Sequence, residues 1–314
     1  MTKERLIGIA AQNGFDKVYV LAPTRTERYQ VNAYNEAIYD DPAEILPDVK
    51  SMIVLIKAYA PFDKAAEGGN GATISAYYPA SHSAYLSARA IADALREEGY
   101  PAVSNAQIAV KPLLIKHRIG KKGANTLVAI PEFGSRFHVQ VILTTLELEA
   151  DRIGIAEGDL DSNCINCGAC LAACPTGAII KGAFLPDLCL RSMDEGKLVP
   201  GPMRALFENR LFGCDICQDV CPRNNGRIVL PMPEGLERDL SLPQLLSGNL
   251  GELSLYIGRN YARKRRIRMK AALVAGNLKR RDCLDLLKDM AKDGTDEEKI
   301  HARWAIDRIE EDEV

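Results

Sequence analysis

No apolar run in this chain approaches the length of a membrane span, which argues against a bilayer-crossing helix. No sign of charge dominates either. The formal net charge is −2, so the average charge names no partner. The opening residues Met1-Thr-Lys-Glu-Arg-Leu6 carry no apolar h-region and no cleavage site. Without a secretory leader, disulfides are not expected, and reduced thiols suit the cytoplasm. What is present is ordinary for a globular protein. Hydrophobic residues make up 47% and charged residues 26% of 314 positions, enough for two or three domains.

Cysteine is the informative residue. Eight of the nine cysteines fall into two sets of four. The first run, Cys164-Ile-Asn-Cys167-Gly-Ala-Cys170-Leu-Ala-Ala-Cys174-Pro175, has the C-x2-C-x2-C-x3-C-P spacing of bacterial [4Fe–4S] proteins. In two-cluster proteins the fourth cysteine of such a run ligates the other cluster. The second run, Cys214-Asp-Ile-Cys217-Gln-Asp-Val-Cys221-Pro222, is one thiolate short, and Cys189 stands between the runs to supply it. We therefore expect cluster one on Cys164, Cys167, Cys170 and Cys221, and cluster two on Cys174, Cys189, Cys214 and Cys217. A short C-x2-C-x2-C loop wraps three cluster corners, and the proline after the last cysteine turns the chain away. Gly168 and Gly177 sit where the backbone must bend tightly or approach the cluster. Zinc is the competing ligand, but its sites favour two C-x2-C pairs. Cys283 shares helical spacing with Leu286, Leu287 and Met290 and reads as a packed core residue.

Around this block the chain alternates helical and strand patterns. Glu4–Asn13 reads as a helix ended by Gly14, and Lys17–Leu21 and Ser51–Ala58 as strands. Residues 68–71, Gly-Gly-Asn-Gly, read as a flexible loop. His82–Glu98 reads as an amphipathic helix with Tyr85, Ala88, Ile91, Ala92 and Leu95 inward. Thr126–Ile130 and Val139–Leu146 read as strands joined by Pro131-Glu-Phe-Gly134. The fold class is thus α+β rather than regular βαβ repetition. Pro231, Pro233 and Pro243 mark a linker, beyond which the chain is helical. Thr295-Asp-Glu-Glu298 has capping-box form and opens a last helix carrying Ile300, Trp304, Ala305 and Ile309. Such helix pairs resemble α-solenoid repeats. From Arg259 to Arg281 ten basic residues occur without an acidic one, Arg263, Lys264, Arg265 and Arg266 at their centre. Such a block can track nucleic-acid phosphates, or be a solvated face balanced by the acidic tail from Asp307 to residue 313.

The cysteine block, with Phe212-Gly-Cys-Asp-Ile-Cys-Gln-Asp-Val-Cys-Pro222, resembles the epoxyqueuosine reductase family, cobalamin-dependent iron–sulfur enzymes of tRNA queuosine modification. Gly120-Lys-Lys-Gly123-Ala-Asn125-Thr126-Leu127 and Pro131-Glu-Phe-Gly134-Ser135 are similar to that family's G-x-x-G-K-N-T-L and P-x-x-G-S stretch. Leu143-Thr-Thr-Leu-Glu-Leu148, Ala275-Gly276-Asn277 and His301-Ala-Arg-Trp304-Ala resemble other family segments. The likeness covers roughly residues 75–310 and extends more weakly to reductive dehalogenases.

The resemblance implies three domains: a nitroreductase-like α+β cobalamin-binding core (1–154), a ferredoxin-like double [4Fe–4S] domain (155–232), and C-terminal HEAT-like helical repeats that grip tRNA (233–314). Electrons would come from an external ferredoxin- or flavodoxin-type donor and pass through the clusters to cobalt. Gly120, Gly123, Asn125, Thr126, Pro131, Gly134 and Ser135 would hold the corrinoid, the three glycines letting backbone approach a large flat ligand. One departure stands out. The family's acid in a D-S-A-P stretch corresponds to Ser104 in Val103-Ser-Asn-Ala-Gln107, and serine is a poor proton donor at neutral pH. The family's D-Y-H stretch reads Ala80-Ser-His82, so its histidine survives without the preceding Asp. His82, Tyr77, Tyr78 and His117 are the alternative donors, and His138 reads as structural. Two other functions compete with an epoxyqueuosine reductase: a reductive activator of a partner corrinoid protein, and a double-cluster electron carrier without corrinoid chemistry.

Overall fold

The computed structural model describes residues 1–26, 41–63, 71–153, 164–180, 183–194, 198–224, 226 and 228–311. Packing divides the chain into two compact units, each built from separate stretches. The first comprises Met1–Tyr59, Ala80–Gly168 and Cys221–Asn225, and the second Ala60–Pro79, Ala169–Val220 and Gly226–Val314. The domain boundary expected at 154 and the loop glycines 68–70 lie outside the described residues.

The first unit is built on an antiparallel sheet of four strands. Strands β1 (Lys17–Leu21), β2 (Ser51–Ala58), β3 (Ala102–Ser104) and β4 (Phe137–Thr144) lie in the order β1-β2-β4-β3. β2 is the longest buried strand, and its alternation sorts two cores. Ile53 and Leu55 face Leu6 and Ala10 of helix α1 (Lys3–Gln12) and Ala84, Ala88, Ile91, Ala92 and Leu95 of helix α2 (Tyr77–Glu97). Met52, Val54 and Ile56 face Leu113, Leu114, Ile119, Val128 and Ile130. Both faces being covered explains why β2 reads as a continuous apolar run.

Three local expectations are corrected. Helix α2 begins five residues before His82, because the Ser75 hydroxyl accepts the Tyr77 N–H (3.2 Å) and Pro79 sits in the first turn, where no N–H is needed. Tyr85 points outward at 42% exposure rather than inward. The strand expected over Thr126–Ile130 shrinks to Val128–Ala129, because Thr126 adopts a left-handed conformation (φ 63°) that breaks pleating.

The second unit has a helical core. Helices α3 (Lys264–Asn277), α4 (Leu284–Asp293) and α5 (Asp296–Glu310) bury Ile267, Ala271, Val274, Cys283, Leu287, Met290, Ala302 and Ala305 together. Cys283 is fully buried, as its spacing suggested. The two segments likened to family repeats touch: a Cβ on Gly276 would lie 2.8 Å from the Ala305 Cα. The capping box forms, Thr295 Oγ1 accepting the Glu298 N–H and the Glu298 carboxylate accepting the Thr295 N–H. On the last helix Ala305 and Ile309 are buried and Ile300 is exposed. Strand Arg210–Phe212 pairs in parallel with Thr73–Ile74 at the edge of this core.

Candidate functional site

None of the nine cysteines is in a disulfide. Among the described residues, no three His, Cys, Asp or Glu side chains converge as a mononuclear metal site requires. The four cysteines assigned to cluster two all lie in the second unit: Cys174, Cys189, Cys214 and Cys217. Parallel pairing of Arg210–Phe212 delivers Cys214, and the short helix Ile216–Asp219 delivers Cys217 and packs on Ala169–Ala173. Gly213 makes this possible. It is left-handed (φ 83°), and a Cβ there would meet Ser75 Cβ at 2.5 Å and the Tyr78 ring at 3.0 Å. Cys214 packs against a small core of Leu190, Val199, Phe207 and Leu273.

The thiols of this set suit a multi-metal centre. Burial pushes Cys214 up to about 11. Burial also pushes Cys217 up to about 12, with Cys214, Asp215, Cys189 and Cys170 adding negative charge around it. Several sulfurs crowded where water is scarce favour a cation to replace their protons. Cys174 is tuned the other way. Burial raises it, but the hydroxyl and N–H of Thr176 and the N–H groups of Ile179 and Ala178 lower it more, so its net shift is downward. Backbone donors converging on a thiolate stabilise its charge, as cluster ligands require.

The set assigned to cluster one differs. Cys164, Cys167 and Cys221 lie in the first unit and Cys170 in the second. Cys167 is exposed.

The candidate proton donors separate. Tyr78 is 2% exposed and packs edge-on to Tyr261 (4.9 Å between centroids) and beside Phe212 (5.8 Å), so it is a core ring and not an open donor. Arg191 stacks over Tyr77 at 4.2 Å. His82, on α2, is half-buried, and burial lowers its pKa. His117 caps the helix Val110–Lys116, its Nε2 3.0 Å from Thr24 Oγ1, and burial followed by Lys116 lowers its pKa. His138 pairs with Gln140 within β4 (2.9 Å), a structural role. Ser104 ends β3, its hydroxyl 3.4 Å from the Asn105 amide.

The residues nominated to cradle a corrinoid are otherwise engaged. A Cβ on Gly120 would strike Ala129 O and Val128 Cγ1 at 2.6 Å. On Gly123 it would meet Asn125 Oδ1 at 3.0 Å, and on Gly134 Asn224 Oδ1 at 2.2 Å. Asn125 is buried, its Oδ1 accepting the Leu127 N–H at 3.2 Å. At these glycines the Cβ position is taken up by neighbouring protein atoms. Pro131 is exposed on the same turn. Asn224, the partner of Gly134 and Ser135, was not singled out from the sequence; its one signal was its place directly after Cys221-Pro222-Arg223.

The basic block also resolves. Arg263 and Lys264 are exposed. Arg265 pairs with Glu297 at 3.2 Å and Arg268 with Glu298 at 2.9 Å. Arg266 stacks on Phe212 (5.3 Å) and Tyr261 (5.2 Å), its buried Nε without a hydrogen-bond partner. Lys270 is 2% exposed, its ammonium 3.6 Å from the Phe207 centroid. Part of the charge is therefore matched by α5 within the helical layer, while residues 312–313 of the acidic tail lie outside the described ones. A cavity of about 520 Å³ opens in the second unit, lined by Ser75, Phe212, Gly213, Asp215, Asn277 and Arg308 among others. It reaches both chain neighbours of Cys214. No helix among the described residues is long and apolar enough to cross a membrane.

Residues 163–224 match the 4Fe-4S double cluster binding domain. Spacing, thiol chemistry and this match define the class: an iron–sulfur protein of the double [4Fe–4S] type. Epoxyqueuosine reductase of Bacillus subtilis is 28% identical over 218 residues, 66% of this chain and 55% of that protein. An uncharacterized protein of Geobacillus stearothermophilus is 30% identical over 193 residues, 58% of this chain and 87% of that one. The fold matches a crystal structure of epoxyqueuosine reductase with an epoxyqueuosine-modified tRNA-Tyr stem loop, at TM-score 0.78 and 23% identity over 98% of this chain and 90% of that one. The chain is thus similar in sequence and in fold to epoxyqueuosine reductases. It spans about half the length of the first curated relatives it matches, 55% and 53% in two of them.

Proposed function

We propose that this protein is a double-cluster reductase that acts on epoxyqueuosine in tRNA or on a closely related substrate. The observation that carries the reading is the complete set of eight cluster cysteines within a family-matched segment. Cys164, Cys167, Cys170 and Cys221 would hold one cluster, and Cys174, Cys189, Cys214 and Cys217 the other. When bound, the clusters supply one-electron transfer from an external ferredoxin- or flavodoxin-type donor. The chain's own contribution is dryness and donors: burial around Cys214 and Cys217 excludes water, and the Thr176, Ala178 and Ile179 groups hold charge on the Cys174 sulfur.

Cobalamin belongs to this proposal through the family likeness alone. Of the seven residues nominated for it, Gly120, Gly123 and Gly134 turn their Cβ positions toward protein, and Asn125 and Ser135 make hydrogen bonds within the protein. No step is derived through it. The cavity beside Cys214 is the space we assign to substrate or cofactor on the second unit. In the same reading residues 1–154 are a nitroreductase-like module, 155–232 a ferredoxin-like one, and 233–314 HEAT-like repeats, working in the cytoplasm. Arg263 and Lys264, with Arg265 beside them, are exposed cations offered to tRNA phosphates.

The proton supply favours a second reading. Ser104 is a poor proton donor at neutral pH, and burial lowers the pKa of His82. A chain that delivers electrons without its own strong acid suits reductive activation of a partner corrinoid protein. The deciding experiment is anaerobic reconstitution with iron, sulfide and hydroxocobalamin, then turnover of epoxyqueuosine-containing tRNA under a strong reductant. Conversion to queuosine supports the first reading. Full cluster content without conversion, together with reduction of an added corrinoid protein, supports the second.

A further inference from the structure

Cys221 closes the second cysteine run, yet it packs with the first unit while Cys214 and Cys217 pack with the second. The contacts that hold it there are specific. Asn224 N–H donates to Cys221 O at 2.9 Å, closing the short turn Pro222–Asn224. The Asn224 side chain is buried at 7% exposure, and both ends of its amide go to one residue. The Ser135 N–H donates to Oδ1 at 3.0 Å, and Nδ2 donates to the Ser135 hydroxyl at 3.0 Å. The backbone N–H can only donate, so it fixes the orientation of the amide.

The receiving turn is rigid. Ile130 N–H donates to Gly134 O and Gly134 N–H to Ile130 O, both at 2.8 Å. Gly134 is left-handed (φ 59°), and a Cβ on it would lie 2.2 Å from Asn224 Oδ1 and 2.8 Å from Arg223 O. The missing Cβ is the space the asparagine occupies. Asn224 is also the last residue of the family-matched segment. A generic surface turn would need neither a buried amide with both ends satisfied nor a glycine whose Cβ would clash with that amide and with the backbone behind it.

We propose that the turn 130–135 is a socket for Asn224 and thereby positions Cys221 as the fourth ligand of cluster one. This rests on the cluster assignment above. Asn224 and Ser135 are positioning residues; neither touches the metal. The socket also gives Gly134 and Ser135 of the glycine-rich stretch a role in holding Asn224.

The test counts iron and follows the two cluster signals by EPR and Mössbauer spectroscopy after anaerobic reconstitution of the full chain. Wild type should hold about eight irons per chain. Asn224→Ala should retain about half, losing the same signal as Cys221→Ser and keeping the one that Cys214→Ser removes. Ser135→Ala leaves the bond from its own N–H to Asn224, so the chain stays folded. It should load both clusters but lose cluster one to a chelator about tenfold faster, as expected for one missing hydrogen bond. Unchanged iron and unchanged chelator kinetics in both variants would overturn the proposal, as would equal loss of both signals. A wild type with fewer than two cluster signals would instead overturn the underlying assignment.

Discussion

The two cysteine sets share a chemistry and differ in how the fold holds them. The cluster-two set lies wholly in the second unit. Its central thiols are raised to about 11 and about 12, and Cys214 is wedged into an apolar core. The cluster-one set draws three members from the first unit, includes the exposed Cys167, and depends on a side-chain amide to keep Cys221 in place. One centre is held by packing, the other by a loop and a hydrogen-bonded socket. Only the first set has an exposed member, Cys167, while the second adjoins the cavity through Gly213 and Asp215.

The largest effect expected from breaking this comparison is loss of a whole cluster. Cys217→Ala should reduce iron from about eight to about four per chain and abolish one EPR signal. Loss of all iron would mean that the two sets fold as one.

Chelator should distinguish the sets next. With Cys167 exposed, about half the iron should leave the wild type in a fast phase, and Mössbauer spectra should assign it to the set that Cys167→Ser removes. A single phase would erase the contrast.

The support of cluster two is sensitive to acid. His301 is fully buried, its Nδ1 bonded to Glu297 O (2.7 Å) and its Nε2 accepting the Val199 N–H (3.3 Å). Val199 shares the small core with Cys214. Burial pushes His301 down to about 4, and Arg204 and Lys270 push the same way. The unfolded chain takes up this proton near pH 6.5, the folded one only near 4. Stability is therefore full above pH 6.5 and falls by roughly 3 kcal/mol at most as pH drops to about 4. Melting temperature against pH should show this decline, and His301→Gln should flatten it.

The smallest effect lies in the basic helix. Arg266→Ala should cost about 1 kcal/mol of stability by removing its stacking on Phe212 and Tyr261. Neutralising Arg263 and Lys264 should leave melting unchanged and lower the salt slope of tRNA binding by about 2. A reversal of these effects would move the phosphate contact inward.

What could be read from the sequence follows from locality. The strands Lys17–Leu21 and Ser51–Ala58 and the Thr295 cap are set by neighbours in the chain, and their limits were legible. So were the eight cysteines and the family likeness, because ligand spacing is local. What the sequence did not show depends on distant partners. Arg268 meets Glu298, Lys270 lies on Phe207, and Gly134 makes room for Asn224, pairings that no spacing reveals. Helix α2 began early because Ser75, outside the amphipathic pattern, caps it.

The most direct test is the crossing of the fourth ligands. Cys174→Ser and Cys221→Ser, each reconstituted anaerobically, should be compared by EPR with Cys167→Ser and Cys214→Ser. The account predicts that Cys174→Ser loses the same signal as Cys214→Ser, and Cys221→Ser the same signal as Cys167→Ser. If instead each cysteine run keeps its own cluster, so that Cys174→Ser matches Cys167→Ser, the two-set arrangement is wrong.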